Sequence, residues 1–463
     1  MKPPQGPKIP PILQIIRLMS DPLGYLEATS KLYGDIFTSS FIFDAPTVFV
    51  SHPDGIKEIY TNKNIASPGE LNRNAAHTSG EKGILQLDGL KHKNRRQIML
   101  PAFHGTRIQA YGQRIYDLTD EVMSKQIIGK PFSAYNMMKI FTLKVILSAV
   151  LGLREGEQYE KIEKELHSLL NCPQYPFWEL SASIPFLRRD FGSWSPWGYF
   201  LRIKQRLQEL LYAEIDRCRQ QENLSSNNLL SLLVSAKDEA NEPLSNEEIH
   251  DLILAPLFAG RDAAATAISW SLYWTHHLPA VREKLLQELD SLGESPDIMS
   301  IVRLPYLSAV CNEALRLYPT QVFTFPRRVE STVELMGYEL SPGTVVIGNI
   351  YLTHQREDLY PDPKQFRPER FLEKQFSPYE FLPFGVGERY CMGAALVIFE
   401  MKLVLAKILL GYQLELATRQ PERPKRDTLN FPPASGLKMV LLGQRSGSNS
   451  NSLPIEFATN VNH

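Results

Sequence analysis

From Ser245 to His277 the chain sustains a single helical pattern, opened by the capping box Ser-Asn-Glu-Glu and closed two residues before Pro279. At a rise of roughly 1.5 Å per residue such a helix is on the order of 50 Å long and crosses a whole domain, so the rest of the fold has to be built around it. Pro256 interrupts the pattern, but the apolar spacing continues on both sides, which favours a kink within one helix over a break. Asp251, Arg261 and Asp262 break its apolar character and argue against a membrane span. No linker divides the 463 residues before the Ser/Asn-rich end. The expectation is therefore one domain over 1–442 and a disordered tail over 443–463.

The other elements are mostly helical. Pro305 opens a helix filled by YLSAVCNEALRLY and ended at Pro319. The β-branched and aromatic run IFTSSFIFDAPTVFVS, from Ile36, predicts a hairpin, and short strands are expected around VELMGYEL, TVVIGNIYL, YQLEL and LKMVLL. The class is mainly α, with a small β region segregated from the helices (α+β). Lys and Arg number 50 against 51 Asp and Glu, which removes any global electrostatic case for nucleic acid. The four cysteines form no CxxC pair, so neither a zinc site nor a disulfide framework is indicated. Prolines stand where a signal peptide would have its apolar core, so a soluble, cytoplasmic monomer is expected. The stretch ILQIIRLM is expected to pack against the domain, with peripheral contact at a membrane surface as the other option.

One of those cysteines, Cys391, lies in FLPFGVGERYCMGAA, ahead of the apolar run LVIFEMKLVLAKILL. A helix from about Met392 to Leu410 would favour its thiolate. Gly385 and Gly387 permit backbone angles that aim amides at the sulfur, and Gly393 removes a side chain where something flat must approach. Arg389 suits a negative group on the rim of a planar cofactor, and Phe384 can shield the sulfur from water. The pattern Phe384-Gly385-x-Gly387-x-Arg389-x-Cys391-x-Gly393 resembles the haem-ligand signature of the cytochrome P450 family. That resemblance implies haem b (iron protoporphyrin IX) with the Cys391 thiolate as its axial ligand. It also implies a triangular, mainly helical prism with a small β-rich side.

Three further stretches are similar to the family. Glu313 and Arg316 share a helical face, and Arg370 in DPKQFRPERF matches the arginine that completes a buried structural triad with them. His92 and Arg96, at i and i+4, match the clamp on the haem propionates, with Arg328 in FPRRV and Arg389 as clamps from the other side. Ala259-Gly260-Arg261-Asp262 matches the distal helix, where the glycine loosens hydrogen bonding and the acid relays protons. Ala263 stands where the family usually has threonine.

The implied function is a monooxygenase acting on an apolar substrate with O2, and the general style of the sequence resembles soluble cyanobacterial members related to fatty-acid and terpenoid hydroxylases. A long-chain fatty acid, alkane or terpenoid is the expected substrate. The aromatic segment Pro176–Phe200 is expected as a lid, and Phe323 and Phe325 near the pocket. Electrons are expected from a ferredoxin or flavodoxin with an NADPH-dependent reductase, docked through Lys91, Lys93, Arg95, Lys402 and Lys407. The rivals are a haem-thiolate peroxygenase or isomerase that needs no electron donor, which the missing threonine favours, and a non-catalytic haem sensor.

Overall fold

The computed structural model describes residues 3–39, 45–174, 178, 185–192, 195–221, 228–293, 296–427 and 429–445. The helices that bear on the site are α1 (Pro11–Ser20), α2 (Gly89–Met99), α3 (Ala134–Leu151), α4 (Glu157–Leu170), α5 (Asn246–His277), α6 (Pro305–Leu317) and α7 (Ala394–Gly411). The strands are β1 (Ile36–Ser39), β2 (Thr47–Val50), β3 (Ile65–Ala66), β4 (Pro131–Ser133), β5 (Arg327–Val329), β6 (Val333–Leu335), β7 (Tyr338–Leu340), β8 (Val345–Gly348), β9 (Tyr412–Leu416) and β10 (Lys438–Gln444).

The long helix forms as its ends demand. The Ser245 side chain accepts the Glu248 N–H, and Glu247 and Glu248 lie in the first turn, where their charges suit the helix dipole. Pro256 stays inside one helix. This α5 packs along α3, α6 and α7, and nearly all of its residues from Ala264 to Thr275 are buried. Both α3 and α5 are long and apolar enough to cross a membrane by composition, but 78% and 61% of their most apolar windows lie inside the protein, where they form its core.

The expected hairpin is present as antiparallel β1–β2, with Ile36 opposite Val50 and Ser39 opposite Thr47; residues 40–44 lie outside the described set. It continues into a five-stranded sheet, β1-β2-β8-β5-β3, in which only β2 and β8 run parallel. A β4-β10-β9 sheet and a β6-β7 hairpin complete the β region. The sheets bury a small apolar cluster around Val48, Ile56, Val329 and Leu335, separate from the large helical core. A mainly helical body with a segregated β side is thus what the sequence predicts.

Two expectations need correction. β10 reaches Gln444, paired with Tyr412, so the ordered chain passes the boundary at 442; residues 446–463 lie outside the described set. In α1 the segment ILQIIRLM packs on the domain only in part, with Leu18 against the cluster of Leu26 and Phe37 and Ile15 half-buried. Gln14 is the buried one, its amide donating to the Pro7 and Ile9 carbonyls at 3.3 and 2.9 Å, and this fixes the helix with Ile12, Leu13, Ile16 and Met19 outward.

Candidate functional site

The loop before α7 is shaped by glycines. Gly385 and Gly387 have φ of 72° and 73°, a region that other residues enter only with strain. The Cys391 N–H closes the loop on the Phe384 carbonyl at 3.0 Å. The amides that reach the Cys391 sulfur are those of Gly393 and Ala394, and the Arg96 charge joins them. All three favour a thiolate. Burial is the larger effect and leaves the thiol pKa raised. The cysteine nevertheless retains accessible surface, and a Cβ added to Gly393 would meet nothing but the sulfur, at 4.0 Å. A sulfur enclosed by protein yet open on one side faces an interior space. Phe384 packs on the helical core and lies 6.4 Å from the Tyr390 ring.

His92 and Arg96 rise toward this region on one face of α2. His92 is buried and its pKa is pushed down to about 4, first by burial and then by the charges of Arg389 and Arg96. Burial also lowers the Arg96 pKa, and the negative form of Cys391 opposes that. Asp88 is the carboxylate near His92, but Arg96 has no carboxylate partner among the described residues, which is the environment that an anionic ligand would complete.

The other two expected clamps are placed differently. Arg389 is buried, and its guanidinium donates to the Ile84, Ser67 and Leu87 carbonyls at 3.1, 3.0 and 2.8 Å and to Asp88 at 3.3 Å, so it fastens the cysteine loop to the segment before α2. Arg328 lies outside the cluster, bound to Glu70 and Glu330. Strand alternation in β5 is the reason: Arg327 is the residue turned inward, against the Tyr60 ring at 4.7 Å, with Glu388 as its ion-pair partner. Its charge is felt by Arg389.

Midway along α5 Ala259 is exposed, while Ala255, Pro256, Phe258, Gly260, Asp262 and Ala263 are half-buried; Ala255, Ala259 and Ala263, four apart, share one face of the helix. Gly260 faces α3 instead. A Cβ there would stand 2.7 Å from Ile146 Cγ1, so close packing accounts for the glycine, and the helix runs unbroken through it. Asp262 is half-buried and gives both carboxylate oxygens to Arg261, at 2.8 and 3.1 Å. Arg261 in turn holds the Leu170 carbonyl and the Asn171 side chain at the end of α4. The Thr266 hydroxyl donates to the Asp262 carbonyl at 2.7 Å and does not replace the hydroxyl missing at Ala263.

Glu313, Arg316 and Arg370 meet as expected, with Arg316 on both Glu313 oxygens at 2.7 and 2.9 Å and Arg370 on one at 3.0 Å. Sequence reasoning missed His354. Its Nδ1 hydrogen-bonds the Arg316 carbonyl at 3.2 Å, and its Nε2 accepts the Leu382 N–H at 3.0 Å, which ties the triad to the cysteine loop. A lone histidine after β8 gave no signal of this.

Most of the docking set is spent. Arg95 is buried on Glu248 and Glu239, at 2.8 and 3.0 Å. Lys402 holds the Val302 carbonyl at 2.8 Å, Lys407 pairs with Asp120 at 2.8 Å, and Lys91 approaches Glu248 at 3.7 Å. Lys93 alone of the five stays exposed with no partner among the described residues. Of the expected lid, residues 176–177, 179–184 and 193–194 lie outside the described set; Trp178, Trp197 and Phe200 pack on one another at 5.1–5.5 Å. Phe323 packs on Phe49 at 5.1 Å, while Phe325 is exposed.

The Cytochrome P450 family model matches residues 3–439 of the chain. A protein of Mycobacterium tuberculosis named cytochrome P450 135B1 is 31% identical over 450 residues, 96% of this chain and 92% of the relative. Another from that organism, cytochrome P450 138, is 27% identical over 89% of this chain and 90% of its own. Among solved structures, cyanobacterial CYP120A1 with bound retinoic acid superposes with a TM-score of 0.82 at 23% identity, over 95% of this chain and 99% of that one. The haem domain of cytochrome P450DA gives 0.81 at 20% identity, over 96% and 98%.

Proposed function

The chain belongs to the cytochrome P450 family of haem monooxygenases, and from that premise we propose that it oxygenates long apolar molecules of the terpenoid or fatty-acid class. When bound, thiolate-ligated haem supplies the oxygen activation: one atom of O2 enters the substrate and the other leaves as water, with electrons from a separate redox protein. In this reading Cys391 would hold the haem iron through its thiolate and Gly393 would leave room for the ring. His92 and Arg96 receive the propionates, with Arg327 in place of Arg328, and Arg389 holds the loop in shape. Phe384 limits water at the sulfur. Asp262 handles protons and Ala263 leaves space on the distal side.

The substrate class rests on the face of α5 that carries Ala255, Ala259 and Ala263, small uncharged side chains of which Ala259 is exposed, along which an elongated apolar molecule can lie. The likeness in fold to a protein holding retinoic acid, a terpenoid carboxylic acid, supports the same class. A titration that follows the haem spin state with retinoic acid, palmitic acid and farnesol tests it. At least one should shift the spin state, and silence from all three while compact ring systems shift it would end this reading.

A second reading has its own support. Ala263 offers no hydroxyl and Asp262 is held by Arg261, an arrangement that suits direct use of peroxide. Ala263→Thr separates the two. Under the first reading it raises product formed per NADPH consumed, supplied through a ferredoxin or flavodoxin and its reductase. If that ratio is unmoved while peroxide alone drives turnover, the peroxide-using reading stands.

A further inference from the structure

His92 and Arg96, four apart, share one face of α2, and Lys91, Asn94 and Arg95 share the neighbouring one. That second face is gripped from outside. Arg95 is 1% exposed, and its guanidinium donates from Nε to Glu248 at 2.8 Å and from its two terminal nitrogens to the two oxygens of Glu239, at 3.0 and 3.2 Å. Asn94 adds a bond to Glu239 at 3.0 Å, and Lys91 comes within 3.7 Å of Glu248. Resting on the haem reading, we propose that Arg95 is a positioning residue: clamped between Glu248 and Glu239, it fixes the rotation of α2 and thereby the place of the Arg96 charge at the haem.

The two anchors come from elements that are themselves fixed. Glu248 is the third residue of α5, where a capping box would turn its carboxylate back to the Ser245 N–H. Among the described residues no such bond is made. Ser245 accepts the Glu248 N–H at 3.2 Å, while the Glu248 carboxylate goes to Arg95 and Lys91. A side chain that spacing assigns to its own helix is spent on α2 instead. Glu239 lies in a turn closed by the Asp238 N–H on the Glu242 carbonyl at 2.8 Å and the Asn241 N–H on the Asp238 carbonyl at 3.1 Å.

For stability alone, apolar residues packed in place of a buried ion pair often serve as well. What a planar guanidinium with two partners adds is direction. Its neighbour makes use of that direction. Arg96 has no carboxylate partner among the described residues, and it lies close enough to Cys391 for the two charges to act on each other. A turn of α2 that released Arg95 from its acids would carry Arg96 away from the sulfur.

The test uses the haem-loaded protein and Arg95→Lys, which keeps the net charge but cannot span both acids with one ammonium. Reduction adds negative charge at the haem, which a nearby cation favours, so Arg96→Ala should lower the reduction potential and speed haem transfer to excess apomyoglobin. Arg95→Lys should lower the potential part of the way and speed the transfer several-fold, with faster hydrogen exchange in α2. In an Arg96→Ala background the same change should leave both quantities where Arg96→Ala alone puts them, because it acts through Arg96. A full effect in that background would overturn the proposal, as would a wild-type potential and transfer rate in Arg95→Lys, even with a lower melting temperature. Glu239→Ala, at the more exposed anchor, gives an independent sign. Its lost negative charge would by itself raise the potential, so a fall reads displacement of Arg96 and a rise counts against it. If Arg96→Ala moves neither quantity, the haem reading of Arg96 fails and takes the proposal with it; if only the Arg95 and Glu239 variants are silent, the proposal alone fails.

Discussion

His354 shows how one side chain can bind a buried ion-pair triad to the cysteine loop. It is fully buried, donates from Nδ1 to the Arg316 carbonyl and accepts the Leu382 N–H at Nε2, which requires the neutral imidazole. Burial pushes its pKa down to about 3, and the Arg316 charge adds to that. A histidine whose folded pKa lies below its unfolded value, near 6.5, contributes stability above that value and loses it as pH falls toward the folded pKa. Unfolding free energy should therefore decline below about pH 6.5, by about 1.4 kcal/mol for each pH unit this group governs. His354→Gln keeps an acceptor for Leu382 and removes the titration, so denaturant melts at pH 7 and pH 5 should differ less in the variant than in the parent. An equal difference in both would assign the acid sensitivity to other groups, His276 among them, whose pKa burial lowers to about 4.

Between elements, the crossing of α5 over α3 depends on Gly260. Alanine is the better helix former by about 1 kcal/mol, so an open site would gain from Gly260→Ala. Here the new methyl would stand 2.7 Å from Ile146 Cγ1 and 2.8 Å from its Cδ1, and overpacking of this kind costs roughly 1–3 kcal/mol. Because β-branching stiffens Ile146, overpacking should win. The expected outcome is a lower melting temperature for Gly260→Ala and, when Ile146→Ala is added, a combined loss smaller than the sum of the two single losses, whereas additive losses in the double variant would contradict the steric account. The triad carries a larger figure. Glu313 meets both arginines with no water between them, so Glu313→Ala should cost about 3–5 kcal/mol and leave little folded, haem-loaded protein, read from the yield of the haem absorbance.

Across the whole molecule, what could be read from sequence is what periodicity and close spacing encode. The capping box and the flanking prolines located α5 and α6, and the FGxGxRxC pattern located the cysteine loop with its two left-handed glycines. Distant partners left no such trace. Arg327 and Arg328 are indistinguishable until β5 pairs with β8 and sets which one faces inward. Arg95 reads as one more surface cation until α5 brings Glu248 against it. In α1 a glutamine, Gln14, is buried while Ile12, Leu13, Ile16 and Met19 face outward. The site itself is of this distant kind, because the sulfur of the α7 loop and the Arg96 charge of α2 come together only in the folded chain. Haem that bridges them should bind the folded state and not the unfolded one, and so stabilise the protein by mass action. Adding haem to apoprotein should raise the melting temperature and give the carbon monoxide band of thiolate-ligated iron. Cys391→Ala should lose that band and most of the stabilisation, while His92→Ala with Arg96→Ala should keep the band and weaken the stabilisation, because it removes propionate partners and leaves the ligand. If the band survives without Cys391, the ligand is another residue and the reading of the α7 loop fails.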